Sequence, residues 1–142
     1  MDQMNEQEAR EFLNAGARTA KLATVSADGS PHVAPIWFIA DDDGSLVFNT
    51  GANTVKGRNL QRDPRVSLCV DDENPPFAHV LVLGVAEISN DPDDKLSWAT
   101  VIAGRYMGAD KAEEFGRRNA VESELLVRVR PTKVVALRNL AD

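Results

Sequence analysis

The fold of this chain is limited most by a recurring pattern of short, β-branched apolar runs separated by tight-turn chemistry. Thr19 to Val25 reads as a strand, Ala27-Asp28-Gly29-Ser30 as a hairpin turn, and His32 to Ala40 as the return strand. Asp42-Asp43-Gly44 makes a second turn, and Leu46 to Asn49 a third strand. Arg65 to Val70 gives a fourth, and Phe77 to Ser89 a long fifth in which Gly84 marks a bulge or a close backbone approach. Glu124 to Arg130 and Lys133 to Leu137 close the series as two strands around Pro131. Strands joined by tight turns pair antiparallel, whereas parallel pairs need long crossovers. The sequence therefore predicts a mainly β chain, an antiparallel barrel with added helices, in which closure removes exposed strand edges.

The helices fall between the strands. Asn5 to Asn14 spaces Ala9, Phe12 and Leu13 for one packed face, so residues 1–16 form an N-terminal helical segment. Thr54 to Arg62 is short and helical, closed by Asp63-Pro64 because the residue before proline avoids the α region. Asn90-Asp91-Pro92-Asp93-Asp94 carries helix-start signals, and the helix it opens has Leu96, Ala99, Ile102, Ala103 and Tyr106 as its apolar face. Gly108 interrupts that helix, and a second runs from Asp110 to about Arg118, so residues 91–119 form a helical insertion. At 142 residues, without internal repeat or linker, the chain reads as one domain, 1–142.

Composition removes several classes of function. The single cysteine, Cys69, sits in the apolar run Val66 to Val70 and reads as a buried, reduced thiol. The polar, acidic start has no apolar leader, and no run approaches the roughly 20 apolar residues that span a bilayer. The expectation is a cytoplasmic protein with no membrane partner. A net charge of −6 argues against nucleic acid, whose backbone needs a broad basic face. His32 and His79 lack partners at metal-ligand spacing, so no metal is expected. Gly51 to Gly57 is followed by Arg58-Asn59 rather than Lys and Ser or Thr, which excludes a nucleotide-triphosphate loop. With no GxSxG, CxxC or GxGxxG motif, any reactivity belongs to a bound organic cofactor.

Asn49 to Arg65 breaks the acidic character. Lys56, Arg58, Arg62 and Arg65 against Asp63 give this segment +3 and leave −9 on the rest of the chain. Cations at a strand-to-helix junction read either as a small-anion site, favoured by free helix-start N–H groups, or as a solvated basic helix face. On the second strand Val33, Pro35 and Trp37 share one side, which either lies flat against an aromatic ring system or packs in the core. Asn49 and Thr50 offer amide and hydroxyl groups beside it, where a ring edge or a ribityl chain can be hydrogen-bonded. The unbroken run Val80 to Val85 implies that more than one face of its strand is buried, which homodimerisation through the barrel wall explains.

These residues also carry a resemblance. The run TAKLATVSADGSPHVAPIWFIADDDGSLVFNTGANTVKGRNLQRDPRVSLCVDD, together with VLVLGVAEIS after it, resembles the flavin/deazaflavin oxidoreductases related to pyridoxamine 5′-phosphate oxidase. The resemblance implies an antiparallel split β-barrel of the FMN-binding type, and its wording looks like the branch that uses the deazaflavin F420, with FMN the alternative. By position it makes Lys56 the leading phosphate ligand, supported by Thr54, Asn59 and Arg58. Val33, Pro35 and Trp37 become the bed of the tricyclic ring, with Asn49, Thr50 and Gly51 its polar border. The cofactor then lies at a homodimer interface, completed by partner-chain residues drawn from Phe77, Trp98, Arg105 and Tyr106.

The activity implied is an F420H2-dependent reductase passing hydride to a conjugated small molecule such as an enone, a quinone or a tetrapyrrole like biliverdin. An FMN oxidoreductase and a non-catalytic F420- or flavin-binding protein are the alternatives. The C-terminal TKVVALRNLAD lacks the Arg-rich motif of true pyridoxamine phosphate oxidases, which argues against that substrate. No side chain stands out as a catalytic proton donor.

Overall fold

The computed structural model describes every residue from Met1 to Asp142. In chain order its elements are β1 (Asp2–Gln3), α1 (Glu6–Asn14), β2 (Ala20–Val25), β3 (Pro31–Ile36), β4 (Ile39–Ala40), β5 (Leu46–Gly51), α2 (Val55–Arg62), β6 (Arg65–Asp72), β7 (Ala78–Ser89), α3 (Pro92–Met107), α4 (Ala112–Arg118) and β8 (Glu124–Arg138). One antiparallel sheet runs in the order β3-β2-β6-β7-β8-β5-β4, with β1 added on β8. The two ends of that order, β3 and β4, are consecutive in the chain, separated only by Trp37 and Phe38. The sheet must therefore curl until its ends approach, and the result is the expected split barrel.

Strand alternation fills the interior with Leu22, Phe48, Leu68, Val70, Val80, Val82, Val127 and Val129, all almost fully buried. Helix α1 adds Ala9 and Leu13 to this core. Asn5 starts that helix with a reciprocal pair of bonds, its side chain accepting from the Glu8 N–H and the Glu8 carboxylate from its own N–H.

Three features differ from the sequence reading, and a fourth, at Gly84, joins two alternatives it offered. The strand predicted over His32 to Ala40 is broken at Trp37 and Phe38, where the chain leaves one edge of the sheet for the other. Its backbone groups are satisfied from α3 instead: Tyr106 Oη accepts from Phe38 N at 3.2 Å, and Arg105 Nη1 donates to Phe38 O at 2.6 Å. The two final strands are one, β8, because Pro131 sits at a register shift opposite Leu83 and Gly84, where its missing N–H costs nothing. Gly84 is both a bulge residue and a close approach, since a Cβ there would stand 2.6 Å from Arg130 O. In α3 the buried stripe is Lys95, Ala99, Ile102 and Ala103, a true helical face, while Leu96 is 43% exposed. Apolarity alone had pointed to Leu96; the i, i+4, i+7, i+8 spacing selects Lys95.

The outer wall of the barrel is set by register. Pro31, Val33 and Pro35 of β3 stand beside Val25, Ala23 and Lys21 of β2. Ser67 and Cys69 of β6 continue these rows, and Leu83 and Leu81 of β7 extend them. Cys69 is thus half-buried on the outer wall rather than in the core, with its thiol pushed up by burial. Val33, Leu83 and Val85 are 66%, 42% and 40% exposed, so this wall is both apolar and open.

Candidate functional site

Where the outer side of β3 meets the end of β5 and the start of α2, the surface opens into a cavity of about 410 Å³. That is enough for a cofactor-sized ligand. Pro35, Ile36 and Trp37 form one wall, Asn49, Thr50 and Gly51 the floor, and Thr54, Lys56 and Glu124 the far end. Thr19, Ile102 and Asn119 complete the lining.

The far end is built by one close approach. A Cβ on Gly57 would lie 2.0 Å from Gly51 O, so only glycine lets the first turn of α2 rest on the end of β5. Thr54 caps that turn, its Oγ1 accepting from Gly57 N at 3.1 Å and donating to Gly51 O at 2.8 Å. The Val55 and Lys56 N–H groups open the helix with no earlier turn to accept from them. Gln61 Nε2 bonds Ala52 O at 2.9 Å and ties the loop back to α2.

At the other wall, Trp37 stacks on Tyr106 of the same chain, ring centroids 5.1 Å apart and planes 4° from parallel. Tyr106 is pinned in turn by donating to Arg18 O at 2.7 Å, and burial pushes its hydroxyl pKa up. The indole is therefore held in place before any ligand arrives.

Seven of the ten residues predicted from sequence meet in this cavity: Pro35, Trp37, Asn49, Thr50, Gly51, Thr54 and Lys56. Val33 lies on the outer wall two residues from Pro35, outside the lining. Arg58 points to solvent. Asn59 is 4% exposed inside the barrel wall, donating to Thr24 Oγ1 at 3.0 Å and accepting from Arg62 Nη2 at 3.0 Å. It is buried within the wall, away from the residues that line the cavity. The Thr54 hydroxyl proton is likewise committed to Gly51 O, so Thr54 shapes the loop.

The basic cluster resolves in the same way. Arg62 bonds Val25 O at 2.6 Å and Arg65 pairs with Asp63 at 2.7 Å, which leaves Lys56 as the cation on the cavity. Of the residues expected from a partner chain, Arg105 and Tyr106 are engaged within their own chain. Arg105 clamps Gly16 O, Phe38 O and Leu13 O at 3.0, 2.6 and 2.7 Å. Trp98 lies under the Arg128 guanidinium, 5.3 Å from its ring centroid, and Phe77 is 41% exposed on the loop before β7.

Glu124 is the residue that sequence reasoning missed. It faces Gly51 across the β5–β8 ladder, a pairing between residues far apart in the chain that no local pattern announces. Burial raises its pKa, opposed by the charges of Lys56 and Lys95.

One polar atom tests whether a cofactor suits this arrangement. Asn49 Nδ2 is buried and has no acceptor within the protein. Such an orphaned donor costs about 1–3 kcal/mol, a penalty that a ligand oxygen in the cavity removes. With the Trp37 wall for a ring, the Asn49 amide for a ring or chain oxygen and Lys56 for a phosphate, the residues fit a flavin-type cofactor.

Known proteins share this architecture. The pyridoxamine 5′-phosphate oxidase family profile matches residues 6–137. A conserved hypothetical protein of Mycobacterium tuberculosis superposes with a TM-score of 0.84 at 31% identity, over 98% of this chain and 89% of its own. A structure described as an F420 reductase superposes with a TM-score of 0.69 at 30% identity, over 87% of this chain and 94% of its own. The heme storage protein of Vibrio cholerae shares the fold, with a TM-score of 0.73 at 21% identity over 96% of this chain and 98% of its own. No curated protein matches the sequence. Fold, cavity and profile together place this chain in the pyridoxamine 5′-phosphate oxidase-like family of split β-barrel proteins.

Proposed function

We propose that this protein is an F420-dependent reductase, holding the deazaflavin against Trp37 and Pro35 with its phosphate at Lys56. The observation that carries the reading is the buried, acceptor-less Asn49 Nδ2 on a cavity whose far end presents a free lysine. The similarity to a structure described as an F420 reductase supports deazaflavin over FMN. When bound, the cofactor supplies hydride chemistry toward a conjugated acceptor such as an enone, a quinone or a tetrapyrrole. The chain itself orients the ring on a pre-stacked indole, binds its polar edge through Asn49 and anchors the phosphate through Lys56. Positioning of this kind contributes roughly 7–11 kcal/mol where the geometry is good.

The reading includes a homodimer. The outer wall carrying Val33, Leu83 and Val85 runs directly into the rim of the cavity at Pro35, so a second copy seated on it roofs the cofactor. The test is a titration of the purified protein with F420 and with FMN, and then of Lys56→Ala. Loss of one charge-assisted phosphate contact is expected to weaken F420 binding about 10- to 100-fold, the equivalent of ~1.5–3 kcal/mol. Lys56 anchors nothing else in the fold, so the melting temperature stays put. Tight FMN binding with none of F420 rejects the reading, and saturable F420 binding without turnover of an enone, quinone and tetrapyrrole panel reduces it to a binding protein.

A further inference from the structure

A carboxylate beside a phosphate site demands an explanation, and Glu124 stands there. It lines the same end of the cavity as Lys56 and Thr54, and its Oε1 is 3.9 Å from where a Cβ on Gly51 would be. The charged groups facing it are Lys56 from α2 and Lys95 from α3, while β5 presents only Asn49, Thr50 and Gly51. Lys95 is 4% exposed, and its Nζ reaches Val121 O at 3.4 Å. Lys95 lies behind the lining, but its charge reaches Glu124, so the two ammonium groups and the one carboxylate together give this region a single positive charge. Were Glu124 there only to neutralise Lys95, a direct ion pair would be expected, yet their charged atoms form no contact within 4 Å and Lys95 bonds a carbonyl instead.

Resting on the F420 reading above, we propose that Glu124 selects the charge of the phosphate this site accepts, matching a singly charged phosphodiester and opposing a doubly charged phosphomonoester. The two cofactors in question differ in that respect: F420 carries its phosphate as a diester, FMN as a monoester that is mostly dianionic at neutral pH. A monoanion balances the local charge, whereas a dianion leaves one negative charge in excess beside a half-buried carboxylate. Specificity then arises from a repulsive group as well as from attractive ones. Burial raises the pKa of Glu124, while the charges of Lys56 and Lys95 oppose that shift and favour the ionised form that would repel a dianion.

The experiment compares dissociation constants of F420 and FMN for the wild type, Glu124→Gln and Glu124→Ala at pH 7.5 and low salt (~50 mM), where surface electrostatics are least screened. Glutamine keeps the shape and removes the charge. Its expected effect is a gain in FMN affinity relative to F420 of about tenfold, the scale of one unit charge at short range near a protein surface. The alanine variant is expected to shift the ratio in the same direction, so the result does not hang on one substitution. The gain should shrink in 0.5 M salt. If the wild type binds F420 and neither variant moves the FMN-to-F420 ratio, Glu124 has no selective role while the F420 reading stands. If the wild type binds neither cofactor, or FMN alone, the reading itself fails and the selection by Glu124 falls with it.

Discussion

Gly57 shows how much of this site depends on the absence of an atom. Its missing side chain lets α2 settle on Gly51 O, and that contact places Thr54, Lys56 and the opening N–H groups of the helix together. Gly57→Ala puts a methyl against backbone on one side and the Thr54 hydroxyl on the other, with neighbours at 2.0, 3.0 and 3.1 Å. Overpacking of this kind costs about 1–3 kcal/mol, more than the helix propensity that alanine returns. Urea unfolding should show that loss, and F420 titration should show weakened binding in the same variant. Lys56→Ala, in contrast, should change only the second. Undiminished stability in Gly57→Ala would mean that the α2 turn is free to move and does not set the site. The basic segment around Lys56 stood out in the sequence, but its pattern fitted a solvated helix face as well as an anion site, and only the family resemblance singled out Lys56 within it. Glu124 and Lys95 did not stand out, since their proximity depends on a long-range strand pairing and on the rotation of α3 about its axis.

Among the elements, α3 does two jobs, of which only one could be read in advance. Its start was plain from Asp91, Pro92 and the early acids, and Asp91 Oδ1 indeed accepts from Asp93 N and Asp94 N at 3.0 Å each. Its end closes the split barrel, through Arg105 and Tyr106 on the bare backbone of Phe38. The apolar run His32 to Ala40 hid this gap, because a side-chain pattern is blind to whether backbone groups find partners in a neighbouring strand. Tyr106→Phe tests the arrangement. It removes the acceptor for the Phe38 N–H and the donor to Arg18 O while keeping the ring that stacks on Trp37. An unpaired buried N–H predicts a loss of ~1–3 kcal/mol in denaturant unfolding, with the ring contact preserved. A variant as stable as the wild type would show that water or a shifted backbone serves Phe38 equally well.

For the molecule as a whole, the strongest constraint is that the barrel has an apolar outside. The hairpin succession made an antiparallel barrel legible, and the unbroken run Val80 to Val85 made a second buried face legible too, because alternation on β7 puts Val80 and Val82 inside and leaves Leu81, Leu83 and Val85 on the wall. What the sequence could not supply was the register that joins this strip to β3, and hence to the rim of the cavity at Pro35. In the proposed dimer, that continuity would couple assembly to cofactor binding. Leu83 is not among the residues that line the cavity, so Leu83→Glu leaves the lining itself unchanged. It does put a charge in the centre of the apolar wall, where a second copy would have to bury it at a cost of several kcal/mol. Light scattering should therefore find the wild type as a dimer and Leu83→Glu as a monomer, and the monomer should bind F420 more weakly at every protein concentration where the wild type is dimeric. Adding wild-type partner should restore nothing, because the substituted wall blocks the mixed pair as well. A monomeric wild type, or a monomeric variant that binds F420 as tightly as the dimer, would show that the cavity within one chain is sufficient and that the apolar wall serves some purpose unconnected with the site.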